Sequence, residues 1–222
     1  SETVETDVVV IGAGTGGAYV GASCCEKGLK VILLEKGTQP STVRNDWGAI
    51  GSKWQIEGGA KGLDEATVLH YHQMYCANRI DPRLQKIWAA ESAAAINWIG
   101  DLIISKGGMF DWEGGYEPDL TNPATYPKFP TGHSAFSPSP DMSTAKMMQE
   151  YITSMGGEYR FETPFIKFEH EGKKVTAAIA KNKEGKYIRF VGKKGIVLAA
   201  GGYQGNPTML NALNPQDVMI MA

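Results

Sequence analysis

The sequence predicts an α/β fold with a central parallel sheet, helices on both faces and an added three-stranded antiparallel β-meander. Two apolar strands, predicted at 7–11 and 30–34, flank a predicted helix at 15–27. Unbroken apolar runs of this kind are typical of parallel strands covered on both sides. Later in the chain, short turns join predicted strands at 158–162, 165–170, 175–182 and 187–191. Their spacing predicts the meander.

The remaining segments connect these strands. A Gly- and Ser-rich stretch at 37–62 is predicted to be a long ordered loop, and a Pro-rich stretch at 107–140 an irregular surface excursion without a domain of its own. A buried strand at 195–200 precedes a short helix that Asn206 caps. Helices are predicted at 64–78, 82–106 and 141–155. The second of these has a predicted packing face of Leu84, Ile87, Trp88, Ala95, Trp98 and Leu102.

Composition excludes several classes of function. The net charge is −2, with 22 basic against 24 acidic residues, so the chain lacks the basic surface that nucleic-acid binding needs. Three cysteines without regular spacing argue against a disulfide framework, and no haem or iron–sulfur motif is present. The uncharged stretch 8–25 contains five glycines and is too weakly apolar for a membrane span.

A glycine-rich turn carries the strongest functional signal. Gly12, Gly14 and Gly17 lie between a predicted strand and a predicted helix, and Glu35 ends the next strand. In this context Gly12 permits the tight turn, Gly14 lets a pyrophosphate approach the backbone, and Gly17 lets the helix pack closely. The helix N-terminus attracts phosphate charge, and Glu35 accepts hydrogen bonds from ribose hydroxyls. The motif therefore predicts dinucleotide binding, with FAD or NAD as the dinucleotide.

Two separated segments resemble a known family. They are DVVVIGAGTGGAYVGASCCEKGLKVILLEKG near the start, and ETPFIKFEHEGKKVTAAIA followed by KKGIVLAAGGYQGNPTML near the end. Both are similar to the Rossmann-like FAD-binding domain of the fumarate reductase and succinate dehydrogenase flavoprotein superfamily. Its soluble branch includes fumarate and urocanate reductases and 3-ketosteroid Δ1-dehydrogenases. The resemblance is strong over residues 5–40 and 140–210 and weaker between them.

The resemblance implies FAD as the cofactor, held non-covalently, because none of the four histidines lies in the loop where some members attach it. Arg44, Asp46 and Trp47 depart from the small residues usual in that loop. No metal site is expected. Fingerprint and resemblance together give the candidate cofactor-binding residues Gly12, Ala13, Gly14, Thr15, Gly16, Gly17, Glu35, Lys36, Thr42, Ala49, Ile50, Gly51, Phe165, Ala199, Ala200 and Gly201.

The length departs from the family, whose members are about twice as long. We therefore expect residues 1–222 to be the N-terminal part of an FAD-binding domain, without the capping domain and C-terminal return, and we assign no catalytic residues. The resemblance implies an FAD-dependent oxidoreductase that acts on C–C bonds next to a carboxylate or carbonyl. The alternative is a non-catalytic dinucleotide-binding module that needs a partner chain.

Expected partners follow from the same resemblance. They are a small unsaturated acid or ketone, an electron donor protein or domain, and the remainder of the chain itself. The first residue, Ser1, is not a methionine. Together with the habits of soluble family members, this slightly favours an exported or periplasmic protein over a cytoplasmic one.

Other polar side chains are weaker candidates. His133 occupies a polar segment that helix or strand packing does not explain, so a place near the mouth of an active site is one interpretation. Arg44 could pair with a flavin or substrate anion. Structural roles are favoured for the remaining pairs, which are His72 with Cys76, Asp111 with Glu113, and Cys24 with Cys25.

Overall fold

A computed structural model of the chain describes residues 2–40, 45–122, 126–136 and 143–214. The backbone divides into two compact units. Unit 1 consists of Ser1–Val43 with Met148–Ala222, and unit 2 is Arg44–Met147. Unit 2 is thus inserted in the sequence of unit 1, and each unit is described by itself below. The assignment of residues 1–222 to the N-terminal part of one FAD-binding domain stays a prediction.

The described residues form nine strands and six helices. In chain order they are β1 (Glu2–Ile11), α1 (Thr15–Glu26), β2 (Val31–Leu34), β3 (Asp46–Gly48), α2 (Lys53–Glu57), α3 (Glu65–Tyr75), α4 (Pro82–Ser105), β4 (Met109–Trp112), β5 (Gly132–Phe136), α5 (Thr144–Ser154), β6 (Glu158–Arg160), β7 (Phe165–Glu171), β8 (Lys174–Lys181), β9 (Tyr187–Leu198) and α6 (Pro207–Leu213).

Unit 1 is built on one six-stranded sheet with the order β6-β2-β1-β9-β8-β7. The neighbours β6, β2, β1 and β9 run parallel, whereas β7, β8 and β9 pair antiparallel as a meander. This arrangement confirms the predicted α/β fold with a parallel sheet and an added three-stranded meander. The strand predicted at 158–162 belongs to the parallel part, since β6 pairs with β2.

Strand β9 joins the two parts of this sheet. Two strands were predicted at 187–191 and 195–200, and that separation is wrong, because one continuous strand runs from Tyr187 to Leu198. The stretch 187–190 pairs with β8 and the stretch 188–198 pairs with β1, with a shift in register opposite Thr6–Val8. The predicted complete burial of the last segment is also wrong, since Leu198 is 59% exposed.

Different layers cover the two faces of the parallel strands. On one face lie α1 and α5, and a Cβ added to Gly21 of α1 would stand 3.0 Å from Leu33 of β2 and 3.4 Å from Ile152 of α5. In the described residues, the meander packs on the other face, where further helices were expected. Its buried side chains form one cluster with those of β1 and β2, namely Val9, Ile11, Ile32, Leu34, Ala178, Ala180, Ile188 and Phe190.

Unit 2 contains helices α2 to α4 and a three-stranded antiparallel sheet of order β3-β5-β4. The predicted loop at 37–62 and the predicted irregular excursion at 107–140 are therefore wrong in part, because each contributes strands to this sheet. The pairing is non-local: Asp46 lies opposite Ser134, and Phe110 lies opposite Ala135. Strands as short as three to five residues leave little periodicity in the sequence.

Helix α4 packs through a face that differs from the predicted one. Leu84 and Ile87 of the predicted face are 62% and 59% exposed, and of that set only Leu102 is buried. The observed buried residues are Gln85, Ala89, Ser92, Ile96, Ile99, Gly100, Leu102 and Ile103. Among the described residues, α4 is also the one helix whose length and composition, with a mean hydropathy of 1.2 over its best window, would allow it to cross a membrane. The expectation that no segment of the chain spans a membrane stays a prediction.

Candidate functional site: a glycine-rich groove in unit 1

The turn from β1 to α1 requires glycine at its first position. Gly12 has a φ of +94°, in the left-handed region. A Cβ built there would stand 2.6 Å from the carbonyl oxygen of Ala199. The amide N–H of Gly12 donates to the carbonyl of Leu34 at 2.8 Å, and that of Ala199 donates to the carbonyl of Ile11 at 2.8 Å. The ends of β1, β2 and β9 therefore meet at this turn.

The same turn brings α1 against the sheet. A Cβ on Gly17 would stand 1.9 Å from the carbonyl oxygen of Gly12, so the helix approaches more closely than any side chain permits. The N-cap residue is Gly14, whose carbonyl accepts from the N–H of Ala18 at 2.9 Å. Because Gly14 has no side chain to cap the first turn, the N-terminus of α1 keeps its capacity to bind phosphate oxygens.

Glu35, directly after β2, is held in a fixed position. The residue is 7% exposed, and its carboxylate accepts hydrogen bonds from the backbone N–H of Ala13 at 3.0 Å and of Gly37 at 2.9 Å. Its own backbone pairs with Arg160 and Thr163, each at 2.9 Å. A carboxylate has about four acceptor positions, so two protein donors leave capacity for ribose hydroxyls.

These features line one groove of about 520 Å³. Ten of the predicted cofactor-binding residues lie along it: Gly12, Gly14, Thr15, Gly16, Glu35, Lys36, Phe165, Ala199, Ala200 and Gly201. Ala13 and Gly17 are buried in the turn beneath it. The sequence analysis missed Ile11, Leu34 and Pro164. The first two end the strands of the fingerprint, which is the signal that could have identified them. Which of these residues contact a cofactor stays a prediction.

The predicted flavin-loop residues belong to unit 2 or lie outside the described residues. Ala49 is fully buried, with its N–H bonded to the carbonyl of Thr131 at 2.9 Å. The N–H of Ile50 donates to Ser92 Oγ at 3.2 Å, and Gly51 has a φ of +84°. This loop is therefore rigidly bonded within its own unit. Thr42 and Arg44 lie outside the described residues.

His133 lies on β5 and is completely buried, so the interpretation that it occupies an irregular loop unexplained by strand packing is wrong. A place near an active site stays a prediction. Its Nδ1 bonds to the carbonyl of Thr131 at 3.0 Å, and its Nε2 lies 2.6 Å from Ser52 Oγ. Since the carbonyl only accepts, Nδ1 carries the proton and Nε2 accepts from the serine hydroxyl. Burial lowers the pKa of His133 below its usual value.

The other polar candidates show no sign of a catalytic or metal-binding role in the described residues. Asp111 accepts from the backbone N–H of Trp112 at 2.8 Å, and Glu113 accepts from the hydroxyl of Ser134. Burial raises the pKa of the Cys25 thiol, which disfavours a reactive thiolate. Within residues 2–40, 45–122, 126–136 and 143–214, no three His, Cys, Asp or Glu side chains come together as a metal site.

Comparison with known proteins identifies the family. A family model described as the FAD binding domain matches residues 7–222. The chain belongs to this family. Probable fumarate reductase Ifc3 of Shewanella frigidimarina is 27% identical to it over 225 residues, which cover 97% of this chain and 35% of that protein. The match thus covers nearly the whole chain but only about a third of that relative.

Solved structures show the same fold. A 3-ketosteroid-Δ4-(5α)-dehydrogenase from Rhodococcus jostii, solved with 4-androstene-3,17-dione, matches with a TM-score of 0.75 and 19% identity, over 97% of this chain and 50% of that one. A flavocytochrome c3 fumarate reductase in its open conformation matches with a TM-score of 0.70 and 22% identity, over 97% and 36%. The chain therefore spans about a third to a half of the length of these proteins.

Membership in the family of FAD-binding domains identifies the dinucleotide as FAD. The geometry of unit 1 fits that cofactor. The turn at Gly12 has no room for a side chain, the N-terminus of α1 lines the groove, and the Glu35 carboxylate is fixed at its floor. These are the features that a pyrophosphate and an adenosine ribose require.

Proposed function

We propose that the protein is an FAD-dependent oxidoreductase that adds or removes two hydrogens across a C–C bond next to a carboxylate or carbonyl, and that this chain supplies the FAD-binding part. The observation that carries the proposal is the membership of residues 7–222 in the FAD-binding domain family. Relatives named as a fumarate reductase and a ketosteroid dehydrogenase support the bond type. When bound, FAD supplies hydride transfer at its N5 atom.

The residues of unit 1 bind and orient the cofactor in this proposal. First-turn N–H groups of α1, around Thr15 and Gly16, face the pyrophosphate charge. Glu35 accepts from the adenosine ribose, and its anchoring by Ala13 and Gly37 keeps the carboxylate from rotating away. The strand ends near Phe165 and Ala199 then form the walls of the groove. None of these groups transfers a proton to substrate.

We further propose that the flavin is held non-covalently. The four histidines of the chain are His70, His72, His133 and His170, and none of them lines the groove. Three lie on α3 or on the buried side of β5, and His170 lies on β7 of the meander. Non-covalent binding through the backbone of glycine residues agrees with the shape of the groove.

The proposed partner that completes the sheet is the remainder of the protein's own chain. Between Val191 and Leu198, β9 pairs with β1 on one side, while its pairing with β8 extends only from Tyr187 to Phe190. In the described part of the chain this stretch of β9 therefore presents an open edge, and its last residue, Leu198, is 59% exposed. The alternative, a binding module completed by a partner chain, uses the same edge.

The decisive experiment measures the cofactor and the reaction in the longest form of the protein. A flavin spectrum, with FAD released by denaturation alone, is expected. Anaerobic turnover with a reduced dye is then measured against a panel of unsaturated acids and 3-ketosteroids, and oxidation of the saturated products against an acceptor dye. Turnover of either class supports the proposal. Bound FAD without turnover of any panel member would contradict the proposed reaction and favour the binding module.

A further inference from the structure

The meander of β7, β8 and β9 is strongly basic in an otherwise acidic protein. Residues 165–194 contain nine of the 22 basic residues of the chain but three of its 24 acidic ones. Their net charge is therefore +6, whereas the rest of the chain carries −8. Charge of one sign that is concentrated in one segment attracts a partner of the opposite sign.

Most of these cations are not neutralised within the fold. Of the nine, two pair with acids of β1, and Arg189 pairs with Glu169. Glu171 and Glu184, the other acids of the segment, offset only part of the remaining charge. The lysines that are exposed and form no ion pair among the described residues are Lys167, Lys173, Lys174, Lys181, Lys183 and Lys186. Their counter-charges must come from outside the described structure.

A groove of about 420 Å³ runs across the same strands, and we call it the meander groove. Ile166, Ile179 and Tyr187 line it, together with Lys167 and Arg189. Ile166 is 47% exposed and Tyr187 53% exposed. Apolar and aromatic side chains with an arginine, bordered by charged residues, are the usual composition of a protein–protein interface.

The meander groove also contains a negative charge. The carboxylate of Glu169 lines it and accepts from the Nε atom of Arg189 at 2.6 Å. The Glu169 side chain is 39% exposed, so its carboxylate has further acceptor positions free for a donor. A partner must therefore bring negative charge to the lysines and a hydrogen-bond donor to Glu169.

This requirement favours a protein over a phosphate-bearing partner. Phosphate recognition uses free arginine forks, but Arg189, the one arginine of residues 165–194, is engaged by Glu169, whose carboxylate repels phosphate. A lipid surface needs apolar side chains that insert beside the basic patch. The exposed Ile166 and Val175 lie at opposite ends of the β7–β8 pair, since Val175 is opposite His170. A polypeptide supplies carboxylates, an apolar side chain and N–H donors together.

We propose that the meander groove docks an acidic segment of a partner protein. An apolar side chain of that segment lies on Ile179 and Tyr187, and its carboxylates pair with Lys167 and with Lys181. The Lys181 ammonium lies 5.9 Å from the centre of the Tyr187 ring, at the border of the groove. The proposal does not rest on the proposed redox reaction.

The test uses the longest form of the protein with its flavin and measures binding by fluorescence anisotropy. The probe is a labelled peptide of repeated Glu-Glu-Leu units, compared with a Glu-Glu-Ser peptide of equal length and charge. We expect saturable binding of the first peptide, weakened by added salt. Its affinity should exceed that of the second by about threefold or more, because leucine buries apolar surface in the groove. Duplex DNA and vesicles of anionic phosphatidylglycerol should bind more weakly than the Glu-Glu-Leu peptide.

Variants locate the binding. The double variant Lys167→Glu with Lys181→Glu should weaken the Glu-Glu-Leu peptide about tenfold, because two attractive pairs become repulsive. The matched control is Lys86→Glu with Lys146→Glu, which changes the net charge equally at exposed positions away from the meander and should keep the affinity within about twofold. Flavin content and thermal melting show that both variants fold.

Four outcomes would overturn the proposal. They are the absence of saturable peptide binding, equal affinities of the Glu-Glu-Leu and Glu-Glu-Ser peptides, equal weakening by the two double variants, and tighter binding of DNA or vesicles than of the peptide. The last would indicate a phosphate-bearing partner instead.

Discussion

Replacing Gly17 by Ala should disrupt the FAD groove through a contact with the backbone. The new Cβ would stand 1.9 Å from the carbonyl oxygen of Gly12, about 1.5 Å closer than an ordinary van der Waals contact. No rotamer change relieves it, so α1 or the turn must move. Overpacking of this kind costs about 1–3 kcal/mol. In a protein of this size, 1–3 kcal/mol corresponds to a fall of roughly 2–12 °C in melting temperature.

The neighbouring substitution Gly16→Ala is the matched control. Gly16 lies in the same helical turn, and a Cβ there meets nothing within 4 Å, so alanine should leave the melting temperature unchanged or raise it by the small gain in helix propensity. Thermal melting and FAD titration are measured on both variants. We expect Gly17→Ala to melt lower and to lose at least tenfold in FAD affinity. Because Gly16 itself lines the FAD groove, the comparison of the two variants rests on stability, and equal melting temperatures would refute the argument from close packing.

Three further substitutions test the groove and the interior of unit 2. Glu35→Gln should weaken FAD binding about tenfold and cost about 1.5–3 kcal/mol of stability, because a charged acceptor of two N–H groups is lost. FAD titration compares this variant with Glu150→Gln, a control at an exposed position, which should keep the affinity of the unsubstituted protein. Gln55→Leu should cost about 2 kcal/mol or more in denaturant unfolding, since the N–H of Ser52 and the carbonyl of Ala49 lose their partner, while the carbonyl of Pro130 keeps the indole N–H of Trp112. A loss below about 1 kcal/mol would contradict this. Burial lowers the pKa of His133 in the folded protein. On acidification, this imidazole is therefore protonated at a higher pH in the unfolded chain than in the folded one. Stability should therefore fall as the pH drops below the unfolded value of about 6.5. His133→Gln should flatten this dependence of melting temperature on pH between 8 and 5, whereas the control His70→Gln should leave it unchanged. If the slope is the same in His133→Gln as in the unsubstituted protein, His133 is not its cause.

Local sequence was sufficient to predict the glycine-rich turn of unit 1. Each residue of the fingerprint acts on the turn that contains it: Gly12 adopts its positive φ there, and Gly17 packs against Gly12 itself. Glu35 ends the next strand, and its partners Ala13 and Gly37 are fixed by the same β-α-β unit. The fingerprint residues and their partners all lie within one β-α-β unit, which is why the sequence pattern predicted the structure of this turn.

The structure of unit 2 could not be predicted from the local sequence pattern, because it depends on contacts between residues far apart in the chain. Ser92 is buried on α4 because its hydroxyl accepts from the N–H of Ile50, 42 residues earlier. This partner makes a polar residue favourable on the packing face, while the apolar Leu84 and Ile87 stay exposed. Trp47 and His133 likewise face each other across β3 and β5, a pairing that no periodicity could indicate.

The register of β9 has a consequence for synthesis of the protein. Strand β1 needs β9 as its neighbour, and Glu2 pairs with Ile188, 186 positions later in the chain. At about 5–20 residues per second, the N-terminal strand waits roughly 10–40 s on the ribosome before that edge can close. All of unit 2 emerges in the meantime and can fold first. The glycine-rich turn lies against Ala199, so its surroundings are complete only after all of unit 2 has been synthesised.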